Sequence, residues 1–373
     1  MGVPFLDLVA VYREDASDYD AAYHRVMNRG RWILGPELTA FEAAFARHCG
    51  VRHAIGVGNG LDALRMALSA AGVGPGDEVV VPAHTFIATW LAVQQCGAVP
   101  VPVEPVAGGF GINASGVAAA ITPRTRAVIP VHLYGHAADP AALRTLCDAR
   151  GLVLVEDAAQ AHGALHAGRR VGSFGSMAAF SFYPGKNLGA FGDAGAVVTD
   201  DDALAAALRS HRNYGSSARY VHDELGTNSR LDELQAAWLA VRLARLDEHN
   251  QRRSLVADHY GQRLAGLPGL QLPATTDGDQ PVWHLYVVRT AQRDALQAAL
   301  ATQGIETLVH YPRPVYRFAP FASLGPAGRS PSDALCDEIL SLPIGPHMNL
   351  EDAERVCVAV RGFFEAVRPG AMA

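Results

Sequence analysis

Lysine is nearly absent from this chain. Of 31 basic side chains only Lys186 is a lysine, and the formal net charge is -6. A chain with no excess of positive charge offers no footprint for nucleic acid or for an acidic membrane surface. Cysteine is sparse as well: Cys49, Cys96, Cys147, Cys336 and Cys357 lie far apart, with no C-x-x-C pair and no close Cys/His spacing. This argues against a disulfide framework and a structural zinc site, and it predicts a reducing, cytoplasmic setting. The opening MGVPFLDLVAVYRED lacks the basic start and long apolar run of a signal peptide. The most apolar stretch, 79–103, is broken by His84, Gln94 and Gln95, so no membrane span is expected. Internal repeats and low-complexity tracts are missing too.

What remains is globular material. The chain is 49% hydrophobic and 18% charged over 373 residues, which suits one large domain with a smaller satellite. Apolar, β-branched runs lie at His53–Val57, Glu78–Val81, Val99–Val103, Ala127–Val131, Leu152–Glu156, Ala178–Phe182 and Ala196–Thr199. Between them, Leu61–Ala71, Thr85–Cys96, Pro140–Arg150 and Asp202–Arg212 have helical spacing. The alternation predicts an α/β fold, a mainly parallel sheet sandwiched by helices. Near residue 230 the texture changes. Leu231–Leu246 and Gln251–Leu264 read as two long amphipathic helices. A Pro/Gly/Asp-rich break, a strand at Trp283–Arg289, a helix at Arg293–Gln303, a Pro-rich loop at His310–Pro320 and a helix at Leu350–Val367 follow. The expected division is a large domain of residues 1–245 and a small α+β domain of residues 246–373.

The one lysine lies in SFYPGKNLGAFGD, residues 181–193, a glycine-rich turn after a short apolar strand. Arginine keeps its proton, whereas a lysine amine can lose one and attack a carbonyl. A position that keeps lysine in an arginine-biased chain is therefore a candidate nucleophile. In LVLVEDAAQAHGA (152–164) a buried-strand run ends in Glu156-Asp157, at the edge of an open α/β sheet where ligands bind. Asp157 can meet a bound ring there, with Gln160 about one turn later, or it can cap a following helix. In GVGNGLDALRMAL (56–68) the amides near Gly60 and Leu61 suit a phosphate. The same glycines fit a plain turn or an imperfect dinucleotide loop. Phe86, in PAHTFIATW, is a platform for a planar ring or a core residue, and Ser181 is a phosphate contact or an ordinary strand serine. Taken together, a phosphate cradle, a ring platform, a strand-end carboxylate and a lone lysine are the parts pyridoxal phosphate requires. The carboxylate would pair with the pyridine nitrogen, and the cationic ring would draw its pKa down.

These stretches also carry a resemblance. EDAAQAHGA, SFYPGKNLGAFGDAGAVVTDD and RNYGSSARYVHDELGTNSRLDELQAAWL strongly resemble the DegT-type sugar aminotransferases, fold-type-I enzymes dependent on pyridoxal phosphate. The likeness runs from PFLDL at 4–8 to the C-terminal helix. It implies that Lys186 is the Schiff-base lysine and proton shuttle, and that Asp157 pairs with the pyridine nitrogen. It implies that Gln160 bonds the ring hydroxyl, that Phe86 stacks on the ring, and that Gly60, Leu61 and Ser181 contact the phosphate. Asn228 would reach the phosphate in the neighbouring subunit, which implies a homodimer with shared active sites. VGNGLDAL, SFYPGKNLGAFGD and RNYGSSARYVH are most similar to enzymes that aminate C3 of a dTDP-linked 3-keto-6-deoxyhexose. The chain departs from the family wording at Ala194, where many relatives have glycine, and in YPRPVYRFAPF, which lacks the usual histidine.

The expected reaction is a transamination in two halves, from L-glutamate to the cofactor and from the cofactor to the nucleotide-linked keto sugar. With no second lysine, arginines must hold the anionic groups. Arg230 is the candidate for the glutamate carboxylate and Arg219 for the diphosphate, with surface ion pairing as the alternative for both. Tyr183, His310 and Tyr311 are candidate sugar contacts, although His310 also fits a core position. His162, His211 and His284 read as structural, and no metal site is expected. Rival readings are a pyridoxamine-dependent sugar dehydratase, which would carry histidine in place of Lys186; amination at C4 or of a cyclitol ketone; a nicotinamide dehydrogenase built on GVGNG; and a non-catalytic protein on an inherited fold.

Overall fold

The expected alternation resolves into a seven-stranded sheet in a computed structural model that describes residues 2–366. Its strands are β1 (His53–Val57), β2 (Glu78–Pro82), β3 (Val99–Val103), β4 (Thr125–Val128) and β5 (Val153–Asp157). After two short strands, β6 (Leu165–His166) and β7 (Arg169–Arg170), it is completed by β8 (Met177–Ser181) and β9 (Gly195–Thr199). The order is β1-β9-β8-β5-β4-β2-β3. Neighbours are parallel except at β9, which runs antiparallel to both β1 and β8. A parallel return needs a crossover of about a dozen or more residues, usually a helix. Residues 182–194 contain no helix, so the chain turns straight back, and Lys186 sits on that turn.

Three helices without a counterpart in the sequence expectations come first: α1 (Leu8–Glu14), α2 (Ala16–Arg29) and α3 (Pro36–Cys49). α4 (Gly60–Ala70), α5 (Ala88–Gln95), α6 (Ala114–Ala120), α7 (Pro140–Arg150), α8 (Asp202–His211) and α9 (Glu233–Leu264) follow. The period-two alternation of the strands feeds separate cores. Val79 and Val81 pack with residues of α4 and α5, while Val80 packs with Val117 of α6 and with Leu143 and Cys147 of α7. Ala178, Phe180 and Val198 pack on Phe41 and Phe45 of α3 and Leu239 of α9. Glu233, the first residue of α9, is buried, and its carboxylate accepts the Gly35, Glu37 and Leu38 N–H groups at 2.9 Å each. It thereby satisfies the orphan donors at the start of α3. Glu233→Gln keeps the shape but turns an amino group toward an N–H. A loss of about 3 kcal/mol is expected, read from the midpoint of chemical denaturation.

The two helices expected at Leu231–Leu246 and Gln251–Leu264 are one, α9, 32 residues long. No glycine or proline interrupts 247–250, and His249 and Asn250 turn inward. The apolar pattern lapses there because the helix passes from one core, with Leu239 and Leu246, to another, with Val256, Tyr260 and Leu264. The expected division at 245/246 thus falls inside a continuous helix.

β10 (Ser216–Ala218) and β11 (Val221–His222) form an exposed hairpin, and β12 (Asp279–Gln280) pairs with β6. The strand expected at Trp283–Arg289 begins later, as β13 (Tyr286–Arg289), because Trp283 has a left-handed φ of 46°. It is antiparallel to β14 (Ile339–Leu342), and α10 (Arg293–Thr302), α11 (Pro331–Glu338) and α12 (Leu350–Ala366) complete the C-terminal part. Val367 of the expected last helix lies outside the described residues. The Pro-rich stretch 310–320 is not all loop: short 3-10 turns occupy Val315–Arg317 and Ala319–Leu324. Among the described residues, no helix is long and apolar enough to cross a membrane.

Candidate active site

β1, β2, β4, β5 and β8 run in one direction, so their C-terminal ends share an edge, and β9 starts at it. Asp157 closes β5 there, fully enclosed. Its Oδ2 accepts the Thr89 hydroxyl at 2.9 Å and its Oδ1 the Ala159 N–H at 3.2 Å. Residues 158–164 are turns, so Asp157 caps no helix. Burial pushes its carboxyl up, against the opposing effects of Thr89, the Ala159 amide and Lys186. The downward shift expected from the sequence supposed a cationic ring; on the protein's own groups desolvation dominates. A buried carboxylate of this kind calls for a cation, and a protonated pyridine nitrogen is one.

Lys186 lies on a turn closed by its own N–H to the Tyr183 carbonyl at 2.8 Å and by Ala190 N–H to the Phe182 carbonyl at 2.7 Å. Burial lowers its pKa from 10.5 to about 8, against the pull of Asp157. Part of the amine is therefore unprotonated near neutrality. His162, His284 and His310 are held neutral around it, each lowered first by burial and next by the lysine's charge. His162 and His284, expected to be purely structural, thus belong to the surroundings of Lys186. His211 instead faces Glu224 at 3.4 Å.

The start of α4 abuts the end of β8. A Cβ on Gly60 would stand 2.6 Å from Ser181 Cβ, so the close approach depends on glycine. Asn59 Oδ1 takes the Asp62 N–H at 2.8 Å. The Gly60 and Leu61 amides have no intrahelical partner and remain available to an anion beside Ser181. A glycine-dependent anion cradle, a buried carboxylate that calls for a cation and a lysine of lowered pKa fit pyridoxal phosphate.

Gln160 Oε1 accepts the Tyr134 N–H at 2.8 Å, and Nε2 donates to the Tyr311 hydroxyl at 3.0 Å. The second Nε2 hydrogen is uncommitted. Phe86 is 52% exposed, so it is no core residue, and its ring lies 5.4 Å from that of Tyr311. Tyr134 reaches the same wall: its hydroxyl donates to the His310 carbonyl and accepts from His84 Nε2 at 2.7 Å. His310 is part-buried, with Nδ1 2.8 Å from Ser341 Oγ.

Other candidates stand apart. Tyr183 is exposed, with no hydrogen bond from its hydroxyl among the described residues. Asn228 is exposed too, next to Ser229, whose hydroxyl accepts Gly58 N–H at 2.9 Å and donates to Asp62 at 2.6 Å. Arg230 donates to Asn213 Oδ1 at 2.9 Å and lies 5.4 Å over the Tyr214 ring. Arg219 sits between the strands of the exposed hairpin, 5.0 Å over Tyr220, and contacts none of the site residues.

Sequence reasoning missed Thr89, Tyr134 and Asn187, and passed over Glu156. Glu156 is buried and accepts His132 Nε2 at 2.9 Å and the Gly172, Phe174 and Gly175 amides at 2.8, 2.7 and 2.6 Å. Burial opposes its ionisation, but His132 and these amides prevail and hold its pKa below the usual carboxylate value. Its adjacency to Asp157 was the available signal. Among the described residues, His259, Glu354 and Cys357 form one grouping with metal-ligand chemistry, but Arg263 already pairs with the Glu354 carboxylate.

The carboxylate closes β5 and the lysine lies on the turn just after β8, its parallel neighbour, at the shared carboxyl edge of a sheet covered on both faces. The protein is a pyridoxal-phosphate-dependent aminotransferase with the fold-type-I architecture. It belongs to the DegT/DnrJ/EryC1/StrS aminotransferase family, whose signature matches residues 14–361. It is 56% identical over 367 residues to the dTDP-3-amino-3,4,6-trideoxy-alpha-D-glucose transaminase of Streptomyces venezuelae, covering 98% of this chain and 97% of that protein. It is 45% identical to the dTDP-3-amino-3,6-dideoxy-alpha-D-galactopyranose transaminase of Aneurinibacillus thermoaerophilus, with 97% and 99% covered. Among solved structures, S. venezuelae DesV in complex with a ketimine intermediate superposes with a TM-score of 0.97 at 56% identity, over 98% of this chain and 100% of that one.

Proposed function

We propose that this chain transfers the amino group of L-glutamate to the C3 ketone of a dTDP-linked 3-keto-6-deoxyhexose, giving a 3-amino sugar nucleotide, and works as a homodimer. The observation that carries the transaminase chemistry is the mutual electrostatic reach of Asp157 and Lys186 at one sheet edge. Bound pyridoxal phosphate supplies an aldehyde for Lys186 and a ring that withdraws electrons from the carbon that loses its proton. Asp157 holds positive charge at the ring nitrogen. The free Gln160 Nε2 hydrogen serves the ring hydroxyl, Phe86 stacks on the ring, and Gly60, Leu61 and Ser181 hold the phosphate. Lys186 Nζ, in its unprotonated form, would take a proton from the donor carbon and give it back.

Residues 1–245 carry the cofactor contacts in this reading, and residues 246–373 contribute His310 and Tyr311 to the sugar side, with Tyr183 opposite. Arg230 is the cation for the donor carboxylate. The bare apolar side chains around Asn228 support a second copy: Leu225 is 97% exposed and Tyr220 82%. Asn228 and Arg219 then act across that interface, on the partner's phosphate and on the diphosphate. The two transaminase relatives support C3 and dTDP, and the higher identity of the trideoxyglucose enzyme favours an acceptor without a C4 hydroxyl.

A panel of nucleotide keto sugars tests the substrate, with glutamate as donor and product structure read by NMR. The 3-keto dTDP sugar should give the C3 amine. Faster amination of a 4-keto sugar would overturn the assignment. The lysine can be tested without substrate. Only the neutral amine attacks a carbonyl, so capture of pyridoxal phosphate by apo-protein should quicken as pH rises through about 8. Stopped-flow absorbance measures it, and a rate that levels off only near the ordinary lysine pKa of about 10.4 would contradict it.

A further inference from the structure

The turn that carries Lys186 has no regular secondary structure. Among the described residues, Asn187 makes the only side-chain hydrogen bonds from positions 183–189. Its Nδ2 donates to Asn250 Oδ1 and to the Val282 carbonyl, both at 2.8 Å. Its Oδ1 must then be the acceptor of the 3.1 Å contact with His284 Nδ1, which places the histidine proton on Nδ1. Asn250 uses its other end on the segment after β5: its Nδ2 donates to the His162 carbonyl at 2.8 Å. One buried carboxamide in the middle of α9 therefore grips both the segment that follows Asp157 and the turn that bears Lys186. Gly163 makes room for it. A Cβ there would stand 2.9 Å from Asn250 Nδ2, and the backbone has a left-handed φ of 95°.

We propose that Asn187 and Asn250 form a positioning bracket that sets Lys186 relative to Asp157, and so relative to the cofactor between them; this rests on the reading of Lys186 as the cofactor-binding lysine. Both are positioning residues. An apolar pair would fill the space, but only paired carboxamides fix direction: each bond is lost if either turn shifts by a fraction of an ångström. Proton transfer by Lys186 depends on that tolerance.

The test compares holoenzymes of the wild type, Asn187→Ser, Asn250→Asp and a control, Thr199→Val. Thr199 is buried and donates to the Ser176 carbonyl at 2.7 Å, near the far end of β9. The readouts are the Lys186 peptide carrying the cofactor after borohydride reduction, the induced circular dichroism of bound cofactor, and kcat and KM. Both asparagine variants should lose induced dichroism and show kcat lowered roughly 10- to 100-fold, with KM for the sugar within about threefold. Thr199→Val should match the wild type in all of these while losing thermal stability through its broken bond to Ser176. If both asparagine variants keep the wild-type dichroism and a kcat within about twofold, the bracket is only structural and the proposal fails. Should Asn187→Ser not fold, Asn250→Asp decides, because it keeps the oxygen facing Asn187 and removes the donor to His162. Absence of the Lys186 adduct in the wild type itself would instead refute the underlying reading of Lys186.

Discussion

Lys186→Arg should lose transamination by roughly 10⁴-fold or more in kcat. The guanidinium keeps the positive charge and most of the volume, so an effect of this size cannot come from charge or packing. Arginine stays protonated at every accessible pH, whereas burial brings the lysine down to about 8. The variant therefore loses both the nucleophile that joins the cofactor and the base that moves the proton. The measurement is single-turnover loss of cofactor absorbance on mixing with glutamate, together with steady-state sugar amination. Lys186→Ala with added small primary amine should recover part of the proton-transfer rate, because free amine can enter the vacated space. Turnover of Lys186→Arg within about tenfold of wild type would remove Lys186 from the mechanism.

The second large effect is expected at Asp157→Asn, with kcat lowered by about 10³-fold, or ~4 kcal/mol in barrier. The substitution keeps the shape and the contact with Thr89 but removes the negative charge. In the protein alone, desolvation raises this carboxyl, and only the Thr89 hydroxyl, the Ala159 amide and the Lys186 charge lead among the groups that counter it. A cation at the ring nitrogen would draw the same carboxyl down. With asparagine the ring nitrogen has no counter-charge, loses its proton and withdraws electrons less well. A cofactor methylated at that nitrogen keeps the positive charge without a proton, and should restore a substantial part of the lost rate in Asp157→Asn. If it restores nothing, and plain Asp157→Asn is within about fivefold of wild type, the carboxylate does not act through the ring nitrogen.

The legible part of the site was the part that rests on residue type. A lone lysine among arginines, a carboxylate at the end of a buried run and glycines at a strand-to-helix turn each announce a chemistry on their own. Their partners announce nothing. Thr89 reads as an ordinary helix threonine until α5 carries it to Asp157, 68 residues away. Asn250 lies in a polar gap that looked like a break between two helices, and that gap is where the helix turns its carboxamide inward. Arg219 is a different case. It is a candidate diphosphate cation by type, and it rides on an exposed hairpin where, among the described residues, it meets Tyr220.

Strand and helix alternation, the α/β class and the candidates for the reacting groups could be read from the sequence alone, because side-chain periodicity and proton chemistry are local properties. The direction of β9, the continuity of α9 across two cores and the bracket around Lys186 were decided only by tertiary structure. Each depends on where the chain returns in space. Asn187 and Asn250, 63 residues apart, meet at 2.8 Å because a helix-free turn reverses the chain beside a helix that never breaks.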